Sequence, residues 1–256
     1  MNLLDMGALA QSEALANRSL SAVELMEAPL DRIEAVNGRV NAIVSMVARD
    51  VLLDQARAAD AGRRRGWLHG IPIAIKDLSD AKGLPTSKGS PLFAGSIAEN
   101  DSLFVARIKA AGAIVIGKTN TPEFGLGSHT FNPVHGATRN PYDLSRSAGG
   151  SSGGAAAALA SGMLSIADGS DMMGSLRNPA GWNNVYGMRP SWGTVPAEPE
   201  GDMYLHQLGI ARHHDRSGPL PAAGTDPISK FACVELHASP AETGLVGGLE
   251  RSVPGR

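Results

Sequence analysis

Apolar residues return at helical spacing between residues 21 and 36, where Leu25, Leu30, Ile33 and Val36 share one face. Ser21 and Glu24 stand ahead of them at capping-box spacing, so the pattern predicts an amphipathic helix beginning there. Pro29 falls inside it; an interior proline costs about 3 kcal/mol and kinks a helix, which leaves the helix's continuity open at that point. Residues 41–46 read as a short strand and the Ala-, Leu- and Gln-rich residues 51–61 as a second helix. The apolar run 71–75 follows Gly70 and ends in Lys76 and Asp77, the pattern of a buried strand that delivers a charged pair at its end. Adjacent strand residues point to opposite faces, so Lys76 and Asp77 are expected to face apart. Asp101 is placed to cap a helix carrying Phe104, Ile108 and Ala111, which Gly112 stops before a strand at 113–116. A helix leading directly into a buried strand predicts an α/β fold. Residues 139–154 read as a long turn-rich loop and 155–160 as a helix, so the end of the loop lies at a helix N-terminus.

Composition narrows the class. The chain has 256 residues, 43% of them hydrophobic, and a formal net charge of -2, which fits a globular protein with a real core and no charge bias toward nucleic acid. No apolar run approaches the roughly 20 residues that span a bilayer, and the first residues lack a cationic region followed by a long apolar stretch; the expectation is a cytoplasmic protein without a membrane partner. The single cysteine, Cys233, excludes an intramolecular disulfide and a cysteine-rich metal cluster. With 31 glycines and only 4% aromatic residues, function is expected to depend on backbone geometry more than on aromatic stacking.

Two motifs point elsewhere and lack their context. Gly112 to Thr119 satisfies the phosphate-loop pattern G-x-x-x-x-G-K-T, but its variable positions are strand-like and Asn120, Thr121 and Pro122 follow where a helix should begin. The run 149–154, GGSSGG, matches G-x-S-x-G in two registers, yet a nucleophile elbow needs a hydrophobic strand leading into the turn and residues 142–148 are polar. The downstream His206, His213 and His214 lie in or beside a segment of unusual character, which weakens a Ser-His-Asp reading further.

Three segments taken together are more specific: HGIPIAIKDL at 69–78, AGGSSGG at 148–154 and GSDMMGSLRNPA at 169–180. In order and spacing they resemble the amidase signature family, as do GKTNTPEFGLGS and YGMRPSWGTVP between and after them, so the resemblance runs from about residue 12 to residue 210. It implies an α/β amidase-signature fold, a mixed central β-sheet flanked by helices. It also implies amide hydrolysis through a Ser acyl-enzyme, with Ser175 as nucleophile, Ser151 as proton relay on a cis Gly150–Ser151 peptide, and Lys76 as base. Such a base must be neutral, and burial at a strand end is the kind of desolvation that lowers a lysine's pKa. Backbone amides across Met172, Met173, Gly174 and Ser175 are placed by the resemblance to receive the oxyanion. Asp171 and Arg177 read as braces of the nucleophile loop, His129 and His135 as hydrogen-bonding loop residues, and Gly125 to Ser128 as lining of the site. No metal or cofactor is implied; the partner is a small-molecule amide, with a homodimer as the expected assembly.

The sequence departs from the family at two places. Met173 stands where the family has a glycine, and it either strains the backbone, if that position needs positive φ, or narrows the pocket; the second is the expectation because the rest of the loop is kept. From Ala211 on, the sequence has no clear period and is unlike the family's continuation. Residues 1–210 therefore read as the N-terminal and core part of one amidase domain, incomplete on its C-terminal side, and 211–256 as an atypical tail. A reading-frame shift near Ile210 is one account of that change. An active amide hydrolase, an inactive fragment and a glutamine amidotransferase subunit-like protein all stay open on the sequence.

Overall fold

The structure, a computed structural model, describes residues 3–189, Val195 and the backbone of 210–215. Helix α1 (Ala8–Ala16) precedes α2 (Ala22–Val40), whose capping box forms as expected: the Ser21 hydroxyl accepts from the Glu24 amide at 3.2 Å and the Glu24 carboxylate accepts from the Ser21 amide at 2.9 Å. The helix runs unbroken through Pro29. The proline removes one backbone hydrogen bond, but its ring is buried in the same face as Leu25, Met26, Leu30 and Ile33, so apolar burial on both sides holds the turn. Asn41 ends α2 in the left-handed conformation at φ 56°, and Asn37 receives the amides of Ala42 and Ile43 at 2.9 Å each, turning the chain into β1 (Ile43–Met46). Helix α3 (Arg49–Ala61) follows, starting two residues before the apolar pattern suggests.

Strand β2 (Pro72–Lys76) is buried along its whole length at the centre of a five-stranded sheet. Helix α4 (Leu103–Ala110) leads to β3 (Ile114–Thr119), also fully buried. Here the capping expectation fails. Ser102, not Asp101, is the N-cap residue, because the Asp101 carboxylate is occupied by the Lys82 amide at 2.7 Å and the Lys109 ammonium at 2.6 Å. Two small antiparallel ribbons come next, β4 (Phe131–Asn132) with β5 (Gly136–Ala137) and β6 (Arg139–Asn140) with β7 (Asp143–Ser147). The segment expected to be loop from 139 therefore contains a hairpin; its strands bury no continuous apolar face and so leave no period-2 signal. Helix α5 (Gly153–Ala160), β8 (Ile166–Asp171), α6 (Arg177–Trp182) and β9 (Ile210–Asp215) complete the described elements.

The sheet order is β1-β3-β2-β8-β9, with β3, β2 and β8 parallel and the outer strands β1 and β9 antiparallel to their neighbours. This is the mixed sheet the resemblance implies. Strand alternation sorts its two faces. Ala74, Ile116 and Ala167 face α2 and α5 together with Met26, Leu30, Ile33, Ala155 and Leu159. Ile73, Ile75, Val115 and Ile166 pack on the other side against Phe104, Val105 and Ile108 of α4. Helix α5 lies close enough to the sheet that only glycine fits at 154, where a Cβ would come within 2.3 Å of the Asn120 amide nitrogen.

No helix of the described residues is long and apolar enough to cross a membrane. Beyond the backbone of 211–215, the tail to residue 256 lies outside the described residues, as do His206 and Cys233.

Candidate active site

The site is built at the C-terminal ends of the parallel strands β2 and β8, where the helix N-terminus of α5 also points. Alternation carries Lys76 out on the Ala74 side of the sheet and Asp77 on the Ile75 side. They do face apart: the Asp77 carboxylate accepts from the Ser87 hydroxyl at 2.5 Å and lies 3.9 Å from the buried Lys118 ammonium. His135 Nε2 meets the same Ser87 hydroxyl at 3.1 Å, the loop hydrogen bond expected of it. The His129 carbonyl accepts from the Phe131 amide at 3.2 Å, and its ring lies against Trp182 with centroids 5.4 Å apart and planes tilted by 54°.

Lys76 is buried, and its amine reaches three hydroxyls: Ser151 at 2.7 Å, Ser152 at 2.9 Å and Ser170 at 3.0 Å. Burial pushes its pKa down to about 7, against the opposing pull of the carboxylates of Asp168 and Asp171. The Ser152 hydroxyl donates its proton to the Ser170 carbonyl at 3.2 Å, so it serves the amine only as an acceptor. Ser151 is free of that constraint and can give its proton to a neutral amine. Its peptide bond to Gly150 is cis. The loop is also tight against the segment 125–128: a Cβ on Gly150 would come within 3.0 Å of the Gly127 carbonyl oxygen.

Ser175 sits on a separately braced turn. Asp171, at the end of β8, accepts from the amides of Gly174 at 2.8 Å, Leu176 at 3.1 Å and Arg177 at 3.4 Å, and from Arg177 Nε and Nη2 at 3.0 Å each. Burial pushes this carboxyl up, but the Arg177 guanidinium and the three amides outweigh it and hold it at about 2. The Ser152 amide donates to the Ser175 carbonyl at 3.0 Å, which pins the turn to the Ser151 loop. Asp171 and Arg177 thus brace the turn as expected, and the Ser175 hydroxyl, partly exposed, has no hydrogen-bond partner among the described residues.

The amides of the turn divide. Gly174 N–H is spent on Asp171, which corrects the expectation that it faces a substrate oxygen; a carboxylate anchored by arginine is the stronger acceptor. The amides of Met172, Met173 and Ser175 have no acceptor among the described residues. Gly174 is also the residue with positive φ, at 112°, whereas Met173 is not in the left-handed region; the methionine is unstrained and 84% exposed.

The phosphate-loop pattern resolves into plain strand. Lys118 and Thr119 lie within β3, and the Lys118 ammonium is bonded to the Ser79 carbonyl and, at 3.2 Å, to the Thr86 hydroxyl. The G-x-S-x-G run follows β7, a strand of an exposed ribbon and not a buried one. His213 and His214 fall in β9, whose backbone pairs with Asp168 and Ala167. Ser152, Ser170 and Asp168 are site residues that sequence reasoning passed over. The second serine of the GGSSGG run was visible, but nothing short of strand register places Asp168 and Ser170 beside Lys76.

Known proteins match this arrangement over most of the chain. The family model described as Amidase matches residues 24–231. An indoleacetamide hydrolase of Bradyrhizobium diazoefficiens is 46% identical over 211 residues, covering 81% of this chain and 40% of its own length. A glutamyl-tRNA(Gln) amidotransferase subunit from Anaeromyxobacter sp. (strain K) is 41% identical over 259 residues, covering 94% of this chain and 51% of its own length. The structure of a 6-aminohexanoate cyclic dimer hydrolase superposes with a TM-score of 0.76 at 33% identity, over 84% of this chain and 44% of that one. The chain spans about half the length of these relatives. With the family model matched over more than three quarters of its residues, the chain belongs to the amidase family.

Proposed function

We propose that this chain hydrolyses a carbon–nitrogen bond of a small amide through a Ser175 acyl-enzyme. One observation carries the reading: a buried lysine held at about pKa 7 lies 2.7 Å from the Ser151 hydroxyl, on a loop bonded to the Ser175 turn. Neutral Lys76 takes the Ser151 proton as Ser151 takes that of Ser175, and the Ser175 oxygen attacks the carbonyl carbon. The oxyanion is received by the amides of Met172, Met173 and Ser175, which are already fixed by the Asp171 brace and need little reorganisation. The proton returns through Ser151 to the departing amine or ammonia, and water repeats the sequence on the ester.

Purified chain should hydrolyse a generic aryl amide and be labelled by a fluorophosphonate at Ser175, with both lost in Ser175→Ala. A monodisperse protein that shows neither is the inactive fragment of the sequence reading. A second reading, ammonia supply to a partner enzyme, is favoured by the 41% identity, over 94% of the chain, to the amidotransferase protein. Ammonia release from glutamine, with no hydrolysis of aryl amides, selects it.

A further inference from the structure

Beneath the three serines lies a second set of buried charges that the mechanism above does not use. Asp168 is fully buried on β8, and its carboxylate accepts the backbone N–H of Lys76 across the β2–β8 seam. Lys118 is equally buried on β3, 3.9 Å from Asp77 of the β2 end. Around them, Asp80 and Lys109 act on Lys118, His135 Nε2 stands 3.7 Å from Asp77, and Asp171 closes the same strand end. The antiparallel β9 brings the backbones of Arg212, His213 and His214 alongside Gly169, Asp168 and Ala167.

We propose that Asp168 is a positioning residue of the hydrolytic site: its buried carboxyl, seated on the Lys76 peptide from the neighbouring strand, fixes the lysine at the strand end and sets its proton affinity. The inference rests on the acyl-enzyme reading. A charged carboxylate on the neighbouring strand favours the ammonium form of Lys76, and a protonated carboxyl releases the neutral amine. Burial raises the proton affinity of Asp168 and lowers that of Lys76, so the interior favours the neutral form of each. Lys118 opposes this by stabilising the Asp168 anion. The strand-end position of the lysine and part of its basicity then depend on one side chain.

The test follows the rate of fluorophosphonate labelling at Ser175 against pH, read by mass spectrometry, in the wild-type chain and in Asp168→Asn. Asparagine keeps an oxygen for the Lys76 amide and removes the charge. The midpoint of the rate profile is expected to fall by roughly one pH unit or more. Asp168→Ser, smaller and still an acceptor, gives the same shift if asparagine fails to fit. A lowered rate with an unmoved midpoint in the folded variant means a purely structural Asp168 and overturns the inference alone. Absence of labelling in the wild-type chain overturns the acyl-enzyme reading, and this inference with it.

Discussion

Replacing Lys76 by methionine separates what the lysine does for chemistry from what it costs the fold. Methionine has a similar length and no charge, so the packing between β2 and α5 is kept while the amine disappears. Lysine titrates near 10.5 in the unfolded chain and at about 7 in the folded one. A folded pKa below the unfolded value means a penalty, fully present below about pH 7 and relieved as pH rises toward 10.5. At pH 7 the penalty works out at about 4 kcal/mol, and at pH 9 at about 2 kcal/mol. Against it stand the hydrogen bonds to Ser151, Ser152 and Ser170, each contributing about 1 kcal/mol net, which methionine forfeits at every pH.

Lys76→Met should therefore be inactive yet slightly more stable than the wild-type chain at pH 7, by about 1 kcal/mol, and less stable by about the same amount at pH 9. The hydrogen-bond loss cancels in the comparison between the two pH values, so the firm quantity is the change of about 2 kcal/mol in the stability difference from pH 7 to pH 9. Urea denaturation of both chains at the two pH values, followed by circular dichroism, measures it. A difference that does not move with pH refutes the reasoning, because it means that Lys76 is charged in the fold throughout that range.

The acid limb of kcat/KM for amide hydrolysis should have its midpoint near pH 7, activity rising with pH as Lys76 loses its proton; a limb near pH 4 would assign the base to a carboxylate. Asp171→Asn should cost about 2 kcal/mol by removing the buried carboxylate's charge from the half-exposed Arg177 guanidinium, read by urea denaturation at pH 7, and the loss should shrink as pH falls from 3.8 toward 2, where the wild-type carboxylate is itself protonated. Met173→Gly should change stability by less than about 1 kcal/mol, because the residue is exposed and unstrained, while altering the ratio of kcat/KM between bulky and small acyl amides; an unchanged ratio removes Met173 from the pocket.

Much of the scaffold was legible because it follows from local chemistry. The Ser21 and Glu24 capping box, the apolar stripe of α2 and the all-apolar run before Lys76 each need only their own residues to be recognised. The errors arose where a residue's partner lies far along the chain. Asp101 has the side chain of a helix cap, but Lys82 and Lys109 claim its carboxylate; the ribbons from Phe131 to Ser147 pair at the surface, where polar residues satisfy the backbone without an apolar face to betray them.

The same distinction governs the site. Lys76, Ser151 and Ser175 could be singled out because three motifs in the right order point to a family, and the alternation of a buried strand was enough to turn Asp77 away from Lys76. What could not be read is how hydrogen bonds are shared. Gly174 and Met173 are neighbours with equivalent amides, and only the position of Asp171 decides that one is consumed by the scaffold while the other has no acceptor among the described residues. Likewise Ser151 and Ser152 are adjacent and identical, and only the Ser170 carbonyl, by taking the Ser152 proton, leaves Ser151 as the hydroxyl of the GGSSGG loop able to protonate the amine. The residue types suggest the chemistry, and the competition among acceptors at the ends of β2 and β8 decides which atoms are left open to take part in it.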